Sequence, residues 1–227
     1  MKNEELTIGI IAGTPIDTQM GNEFFKNHGV NTIGKEIATT PEEATTLQVL
    51  HQEQLEQKVV ERIETLKEQK KIQSICIFFN SLSTAINSNT ISSKTRLNIV
   101  TPLGSYHDIA TRYNNIGVLG ANCQAVKGIE EIIKKVNQGA HVVGTGTLKL
   151  VKAIEKKEKP VQIIEDTGIA SLLKFYEKSK VDTLILGCTH FPYIKKELTK
   201  RTTIKIFDPA EDMLRRIQFD TSERMIV

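Results

Sequence analysis

The most constraining feature of this sequence is the alternation of short apolar runs, rich in β-branched residues, with longer amphipathic segments. The apolar runs are typical of buried strands and lie at 6–13, 74–79, 97–102, 115–120, 141–144, 161–164, 183–187 and 203–207. The segments 42–70 and 122–137 instead carry apolar residues at helical spacing. Strands that alternate with helices predict an α/β fold with mostly parallel sheets, whose ligands bind beyond the carboxyl ends of the strands.

The sequence also repeats itself. IGIIAG at 8–13 matches IGVLGA at 116–121, an offset of 108 residues, and SICIFFNS at 74–81 falls on TLILGCTH at 183–190, an offset of 109. Because two pairs of strands share nearly the same offset, we predict two similar α/β halves, each with a strand-end loop of the same kind. We place the first domain at 1–98 plus 206–227 and the second at 99–205, with the last strand and helix packing back on the first domain.

Composition and charge argue against several classes of protein. With 39% hydrophobic and 25% charged residues, the chain has the make-up of an ordinary globular protein. The balance of 30 Lys and Arg against 27 Asp and Glu, together with the absence of Trp, gives no reason to expect a nucleic-acid partner. The N-terminal MKNEEL is polar and no apolar run is long enough to span a bilayer, so we expect a cytoplasmic protein with no membrane partner.

The cysteines and histidines form no metal-binding pattern. Cys76, Cys123 and Cys188 are far apart and not in CxxC spacing, and the histidines show no ligand spacing. We therefore expect no metal, and no lysine lies in a context that suggests a pyridoxal Schiff base. Cys76 lies within an apolar strand and is expected in the core, while Cys123, at the start of a helix, is interpreted as structural.

Cys188 is the cysteine whose surroundings suggest chemistry. It follows the apolar strand TLILG and precedes Thr189, His190, Phe191 and Pro192, and a proline there suits the first turn of a helix. Backbone N–H groups and the helix N-terminal field at such a turn stabilise a thiolate, which can act as a base or nucleophile. The alternatives are a buried, inert cysteine beside an ordinary loop histidine.

The motif GCTHFP at 187–192 resembles the second-cysteine motif of the cofactor-independent aspartate/glutamate racemase family. IGIIAGTP at 8–15 is similar to the glycine loop of aspartate racemases, and IFDPAEDMLRR at 206–216 resembles the closing strand and helix of the family. VQIIEDTG at 161–168 is similar to the acidic segment before the second cysteine of glutamate racemases, with Glu165 at the matching position. The resemblance implies two pseudo-symmetric α/β domains with the active site in the cleft between them.

The resemblance also implies a function and a set of site residues. It implies a homodimeric isomerase, a PLP-independent amino-acid racemase, that acts without cofactor on a small acidic amino acid or related carboxylate. Cys188 is then the acid/base group, with His190 and Glu165 as further catalytic residues. The polar residues expected to bind substrate lie at strand ends, where each serves equally well as a cap or turn residue: Thr14, Asn80, Ser81, Asn122 and Thr189.

One position departs from the family pattern. The first half of the family carries its own cysteine, followed by Asn-Thr, whereas this chain reads IFFNSLS at 77–83, with Phe79 at the cysteine position. Racemisation takes a proton from one face of the α-carbon and returns one to the other, most simply with two acid/base groups. The empty face is open to a nearby hydroxyl, a bound water or Asp17. Two further alternatives remain, namely a one-cysteine lyase, decarboxylase or isomerase and a non-catalytic amino-acid-binding protein.

Overall fold

The computed structural model describes residues 7–224, and their side chains except those of residue 52 and residues 219–224. The chain divides into two compact units, one made of the chain up to Pro102 and from Ala210 onward, the other of Leu103–Pro209. Each unit is built on a four-stranded sheet in which every pair of neighbouring strands is parallel. The predicted α/β class, with two units of parallel strands, is confirmed.

The first unit has the strand order β2-β1-β3-β4. Its strands are β1 (Thr7–Ala12), β2 (Asn31–Glu36), β3 (Ser74–Ile77) and β4 (Asn98–Val100). Its connecting helices are α1 (Pro15–Asn27), α2 (Pro41–Leu50), α3 (Gln52–Gln69), α4 (Asn80–Ala85) and α5 (Ser88–Thr95). Successive strand side chains point to opposite faces, so Ile10 and Cys76 belong to one buried cluster whereas Ile11 and Ile75 belong to the other.

The second unit repeats this arrangement with the strand order β6-β5-β7-β8. Its strands are β5 (Asn115–Gly120), β6 (His141–Gly146), β7 (Thr183–Gly187) and β8 (Lys205–Phe207). Its helices are α6 (Leu103–Ala110), α7 (Cys123–Val136), α8 (Leu148–Glu155), α9 (Pro160–Asp166), α10 (Ile169–Lys178) and α11 (Pro192–Thr199). The strongly amphipathic α7 buries Ala125, Ile129 and Ile133 against β5, which explains its apolar stripe.

The last strand and the last helix belong to different units. β8 pairs with β7 in the second sheet, whereas α12 (Pro209–Arg224) packs on the first unit through Met213, Leu214 and Ile217. The structure therefore corrects the placing of the last strand in the first domain, because its backbone completes the second sheet. The domain limits drawn after 98 and 205 would also cut β4 and β8, so the observed division lies a few residues further along the chain. Among residues 7–224, no helix is long and apolar enough to cross a membrane.

Three local assignments from the sequence were wrong or incomplete. The apolar run 161–164 forms helix α9, with Pro160 in its first turn and Ile163 and Ile164 buried, because a four-residue apolar run has no period that separates strand from helix. The edge strand β2 has only one strongly apolar residue and was missed. The long helix predicted over 42–70 is two helices, with a break at His51.

The strand registers confirm the internal repeat. In the first unit β1 pairs with β3 so that Ile10 is opposite Cys76, and in the second β5 pairs with β7 so that Val118 is opposite Ile185. Ile10 and Val118 are 108 residues apart, and Cys76 and Ile185 are 109 apart, the offsets found in the sequence. Continuing both strands by three residues aligns Phe79 with Cys188.

Candidate active site

Cys188 lies at the carboxyl end of β7, where the chain turns into α11. The strand is anchored by buried Leu184, Ile185 and Leu186, and α11 begins at Pro192. The Phe191 N–H donates to the carbonyl of Cys188 at 3.0 Å, which closes the turn. Cys188 is only 3% exposed. The strand-to-helix turn that the sequence indicated around this cysteine is therefore present.

A histidine and a carboxylate extend from the thiol. His190 Nδ1 lies 3.6 Å from Cys188 Sγ, and His190 Nε2 lies 3.0 Å from an Oε1 of Glu155. Glu155 is the last residue of α8, and the imidazole is buried between the thiol and the carboxylate. A carboxylate at Nε2 favours a proton on that nitrogen, so Nδ1 faces the sulfur as either acceptor or donor. A thiol, a base and a group that orients the base form the arrangement expected of an activated cysteine.

The carboxylate beside His190 is Glu155, whereas Glu165, which the resemblance implied to be catalytic, lies elsewhere in the second unit. Glu165 lies on α9 with its side chain 57% exposed, and it pairs with Arg201, which follows the far end of α11. The sequence shows that Glu155 lies four residues after the apolar Val151, and so on the same face of α8, but it carries no signal of the contact with His190. The lysines that surround it made this helix end look like a solvated surface.

Two further polar side chains at this end of the second sheet were not found from the sequence. Asp208 directly follows β8, the strand beside β7; it is buried, and its Oδ2 lies 3.7 Å from the Nζ of Lys195 on α11. Tyr106 of α6 is fully buried, and burial, followed by the charges of Cys188 and Asp208, raises its pKa well above the usual value. Tyr106 therefore stays a neutral phenol near the thiol over the physiological pH range.

The predicted substrate-binding residues lie at strand ends, and two of them also cap helices. Thr14 is the N-cap residue of α1, with its Oγ1 accepting from the Asp17 N–H at 3.2 Å. Asn122 is the N-cap residue of α7, with its Oδ1 accepting from the Ala125 N–H at 2.8 Å. Asn80 and Ser81 begin α4 and are buried. Thr189, next to Cys188, is also buried.

Phe79 occupies the position of the first unit that corresponds to Cys188. Its side chain is 7% exposed and belongs to the apolar cluster that includes Ile77 and Leu82. The tip of the ring rests on Gly13, where an added Cβ would lie 2.7 Å from the ring Cζ. Only glycine at position 13 therefore leaves room for the ring. A phenyl group cannot carry a proton, so Phe79 cannot act as an acid or a base.

The other cysteines differ sharply from each other in exposure. Cys76 is fully buried in β3, and burial raises its pKa well above the usual value, so it is an unreactive core residue. Cys123 is exposed at the first position of α7, so it makes no contribution to the core. Among the described side chains, no cluster of His, Cys, Asp and Glu could hold a metal ion.

Several curated proteins resemble parts of this chain, although no sequence-family model matches it. A glutamate racemase of Actinobacillus pleuropneumoniae serotype 3 (strain JL03) is 33% identical over 97 residues, which cover 42% of this chain and 37% of that protein. A glutamate racemase of Aliivibrio fischeri (strain ATCC 700601 / ES114) is 28% identical over 150 residues, which cover 65% of this chain and 56% of the relative. The chain thus spans about 37% to 56% of the length of these relatives.

Solved structures match nearly the whole chain. Glutamate racemase from Francisella tularensis subsp. tularensis SCHU S4 in complex with D-glutamate has a TM-score of 0.75 at 18% identity, over 98% of this chain and 83% of that one. PH1733, an aspartate racemase homologue from Pyrococcus horikoshii OT3, has a TM-score of 0.66 at 16% identity, over 95% and 99%. These likenesses define a two-unit α/β protein with the glutamate racemase fold. The curated relatives that match parts of the chain are glutamate racemases as well.

Proposed function

We propose that this protein is a cofactor-independent, racemase-like isomerase that transfers a proton at the α-carbon of a small acidic amino acid, with Cys188 as the acid/base group. The observation that carries the proposal is the buried chain of contacts from Cys188 Sγ to His190 at 3.6 Å and from His190 to Glu155 at 3.0 Å. The curated relatives are glutamate racemases, and one matched structure contains D-glutamate, which supports an acidic amino acid as the ligand.

The order thiol, imidazole, carboxylate explains how Cys188 could act as a base. A proton moved from Cys188 to His190 leaves a thiolate beside an imidazolium, and the Glu155 carboxylate stabilises that positive charge. Burial keeps water away and strengthens these electrostatic interactions. The thiolate then takes the α-proton from one face, and inversion is completed by a proton delivered to the opposite face of the carbanion. His190 and Glu155 act through the sulfur and are positioning residues in this proposal.

Substrate binding is assigned to polar groups at the strand ends. Backbone N–H groups at helix N-termini and small hydroxyls bind carboxylates without a metal. In the second unit we assign this role to Thr189 and to the amide of Asn122, and in the first unit to Thr14, Asn80 and Ser81. We further propose, on the family resemblance, that the protein is a cytoplasmic homodimer, which light scattering after size-exclusion chromatography tests directly.

The packing of Phe79 favours a second candidate function. A ring buried against Gly13 supplies no acid or base at the position that corresponds to Cys188. A single thiol is sufficient for reactions that need protonation on one face only, such as a decarboxylation or a one-sided isomerisation. Under this alternative, Cys188 protonates a carbanion and the product keeps one configuration.

The test is proton NMR of the protein with L-aspartate, and separately L-glutamate, in deuterated water, with chiral analysis of the product. We expect loss of the α-proton signal and appearance of the D-enantiomer. Exchange with retained configuration would favour the one-thiol alternative. Cys188→Ser should abolish exchange that begins at the thiol, whereas Cys123→Ser, which removes the exposed cysteine, should leave it unchanged. No exchange by the wild-type protein with either amino acid would contradict the proposed function.

A further inference from the structure

The arrangement around Cys188 has a second chemical use. Its sulfur lies 3.6 Å from His190 Nδ1, and His190 Nε2 lies 3.0 Å from Glu155 Oε1. A thiol, a base and a carboxylate that orients the base are also the parts of an enzyme that transfers acyl groups through a covalent intermediate. All three residues belong to the second unit. The arrangement is therefore complete within one unit and requires no residue of the other.

The backbone around Cys188 also has the form expected of a nucleophile. β7 is one of the two central strands of its sheet, and Cys188 follows its last residue, Gly187. The chain then turns into α11, which begins at Pro192. Hydrolases built on parallel sheets hold their nucleophile at such a strand-to-helix turn. β5 and β7 lead to neighbours on opposite sides of the sheet, so Cys188 lies where ligands of these sheets bind.

A thiolate at this turn has two kinds of target. It acts as a base towards an acidic C–H bond and as a nucleophile towards the carbonyl carbon of an ester or thioester. Glu155 at Nε2 favours a proton on that nitrogen, so Nδ1 of His190 faces the sulfur and can move protons there. The positive end of α11 lies at the same turn and stabilises negative charge that develops on the sulfur and on a carbonyl oxygen beside it.

We propose that Cys188, His190 and Glu155 also catalyse the hydrolysis of esters and thioesters of small carboxylic acids. This activity goes beyond the proton transfer proposed above, because it replaces attack on a hydrogen with attack on a carbon. Cys188 is only 3% exposed, which restricts the acyl group to a small one such as acetyl. Cys188 and His190 are the catalytic residues of this reaction, and Glu155 is a positioning residue.

Each bond and each proton of the reaction is accounted for. In the first step Nδ1 of His190 takes the thiol proton, the sulfur attacks the carbonyl carbon, and the carbonyl electrons move to the oxygen. These electrons return as the bond to the leaving atom breaks, and Nδ1 gives its proton to that atom. In the second step Nδ1 takes a proton from water, the hydroxyl group adds to the acyl carbon, and the carbon–sulfur bond breaks. The sulfur regains the proton, so ester and water become acid and alcohol.

The test is the reaction of the protein with p-nitrophenyl acetate. The reference protein carries Cys123→Ser, because an exposed thiol would react by itself. We expect a burst of about one equivalent of p-nitrophenolate per chain, followed by slower steady release. Peptide mass spectrometry of protein stopped in acid during the burst should find the acetyl group on Cys188. Adding Cys188→Ser should remove the burst, and p-nitrophenyl octanoate, with the same leaving group, should give none.

The lifetime of the acetyl group on Cys188 separates chemistry from folding. The thiol is first acetylated at high pH, and loss of the acetyl group is then followed at neutral pH. His190→Asn should lengthen the lifetime about 10²- to 10⁴-fold, because an amide cannot pass a proton from water to the sulfur. Glu155→Gln should lengthen it about 10²-fold or more, because the histidine loses its orienting carboxylate. Glu158→Gln makes the same change three residues further along the chain and should leave the lifetime unchanged.

The outcomes distinguish this inference from the proposed function. Absence of acetyl groups on Cys188 in the reference protein would overturn the inference, as would equal lifetimes in the reference protein and in folded His190→Asn, checked by circular dichroism. Equally fast acylation by the octanoate would overturn the restriction to small acyl groups. Protein that exchanges α-protons but is not acetylated leaves the proposed function standing. Protein that hydrolyses the acetate ester but exchanges no α-proton supports the inference and contradicts the proposed function.

Discussion

The contact between Phe79 and Gly13 predicts that Gly13→Ala changes the free energy of unfolding in opposite directions, depending on the residue at position 79. In the wild-type protein the new Cβ would lie 2.7 Å from the ring Cζ and 3.0 Å from both Cε atoms. Overpacking of this kind costs about 1–3 kcal/mol. The glycines with positive φ are Gly29 and Gly168, so the backbone at position 13 accepts alanine, which by itself stabilises a protein by about 0.4–1 kcal/mol.

Four proteins test this prediction, namely the wild type, the two single variants and the double variant. Phe79→Ala alone should destabilise by about 3–5 kcal/mol, because it empties a buried site. Added to Phe79→Ala, Gly13→Ala should stabilise by up to about 1 kcal/mol. The coupling energy between the two substitutions then equals the steric cost of the alanine Cβ against the Phe79 ring, about 1–3 kcal/mol. Double-mutant cycles resolve free energies of unfolding of this size.

The assay is urea unfolding followed by circular dichroism for all four proteins. Destabilisation by Gly13→Ala in the wild type, and stabilisation in the Phe79→Ala background, would agree with a ring packed on Gly13. Equal effects in both backgrounds would refute the packing argument.

Three further predictions concern the second unit and the thiols. Glu155→Gln should slow Cys188-dependent exchange about 10²-fold or more, because it removes the group that orients His190, whereas Glu165→Gln should leave it unchanged; NMR exchange rates compare the two. Iodoacetamide should label Cys123 and leave Cys76 unlabelled until the protein unfolds, as peptide mass spectrometry will show, because burial raises the Cys76 pKa. Burial raises the pKa of Tyr176 to about 12, so its contribution to stability is complete below the unfolded value near pH 10 and is lost as pH rises towards 12. The free energy of unfolding should therefore fall over that range, and Tyr176→Phe should reduce the fall.

The sequence was sufficient to predict structure where the residues that determine it are close together in the chain. Cys188 to Pro192 are consecutive, so a strand end, a turn and a helix start could be predicted together. The repeat predicted two like halves because strand spacing survives in the sequence when side chains differ. Glu155 could not be found in this way, since it reaches His190 from a helix that ends 35 residues earlier in the chain. Its neighbours favour a solvated surface, and only packing within the unit brings it to the histidine.

Fold and chemistry impose separate requirements on the two halves. The caps by Thr14 and Asn122 and the shared strand register repeat because each half needs them to close its first helix and its sheet. The side chain just beyond β3 or β7 is not fixed by the closing of the helix or the sheet, because Phe79 and Cys188 are both buried there. A position that tolerates a phenyl ring or a thiol cannot be what defines the fold. It is therefore where the two halves of one architecture differ, with a phenyl ring packed on Gly13 in the first and a thiol in the second.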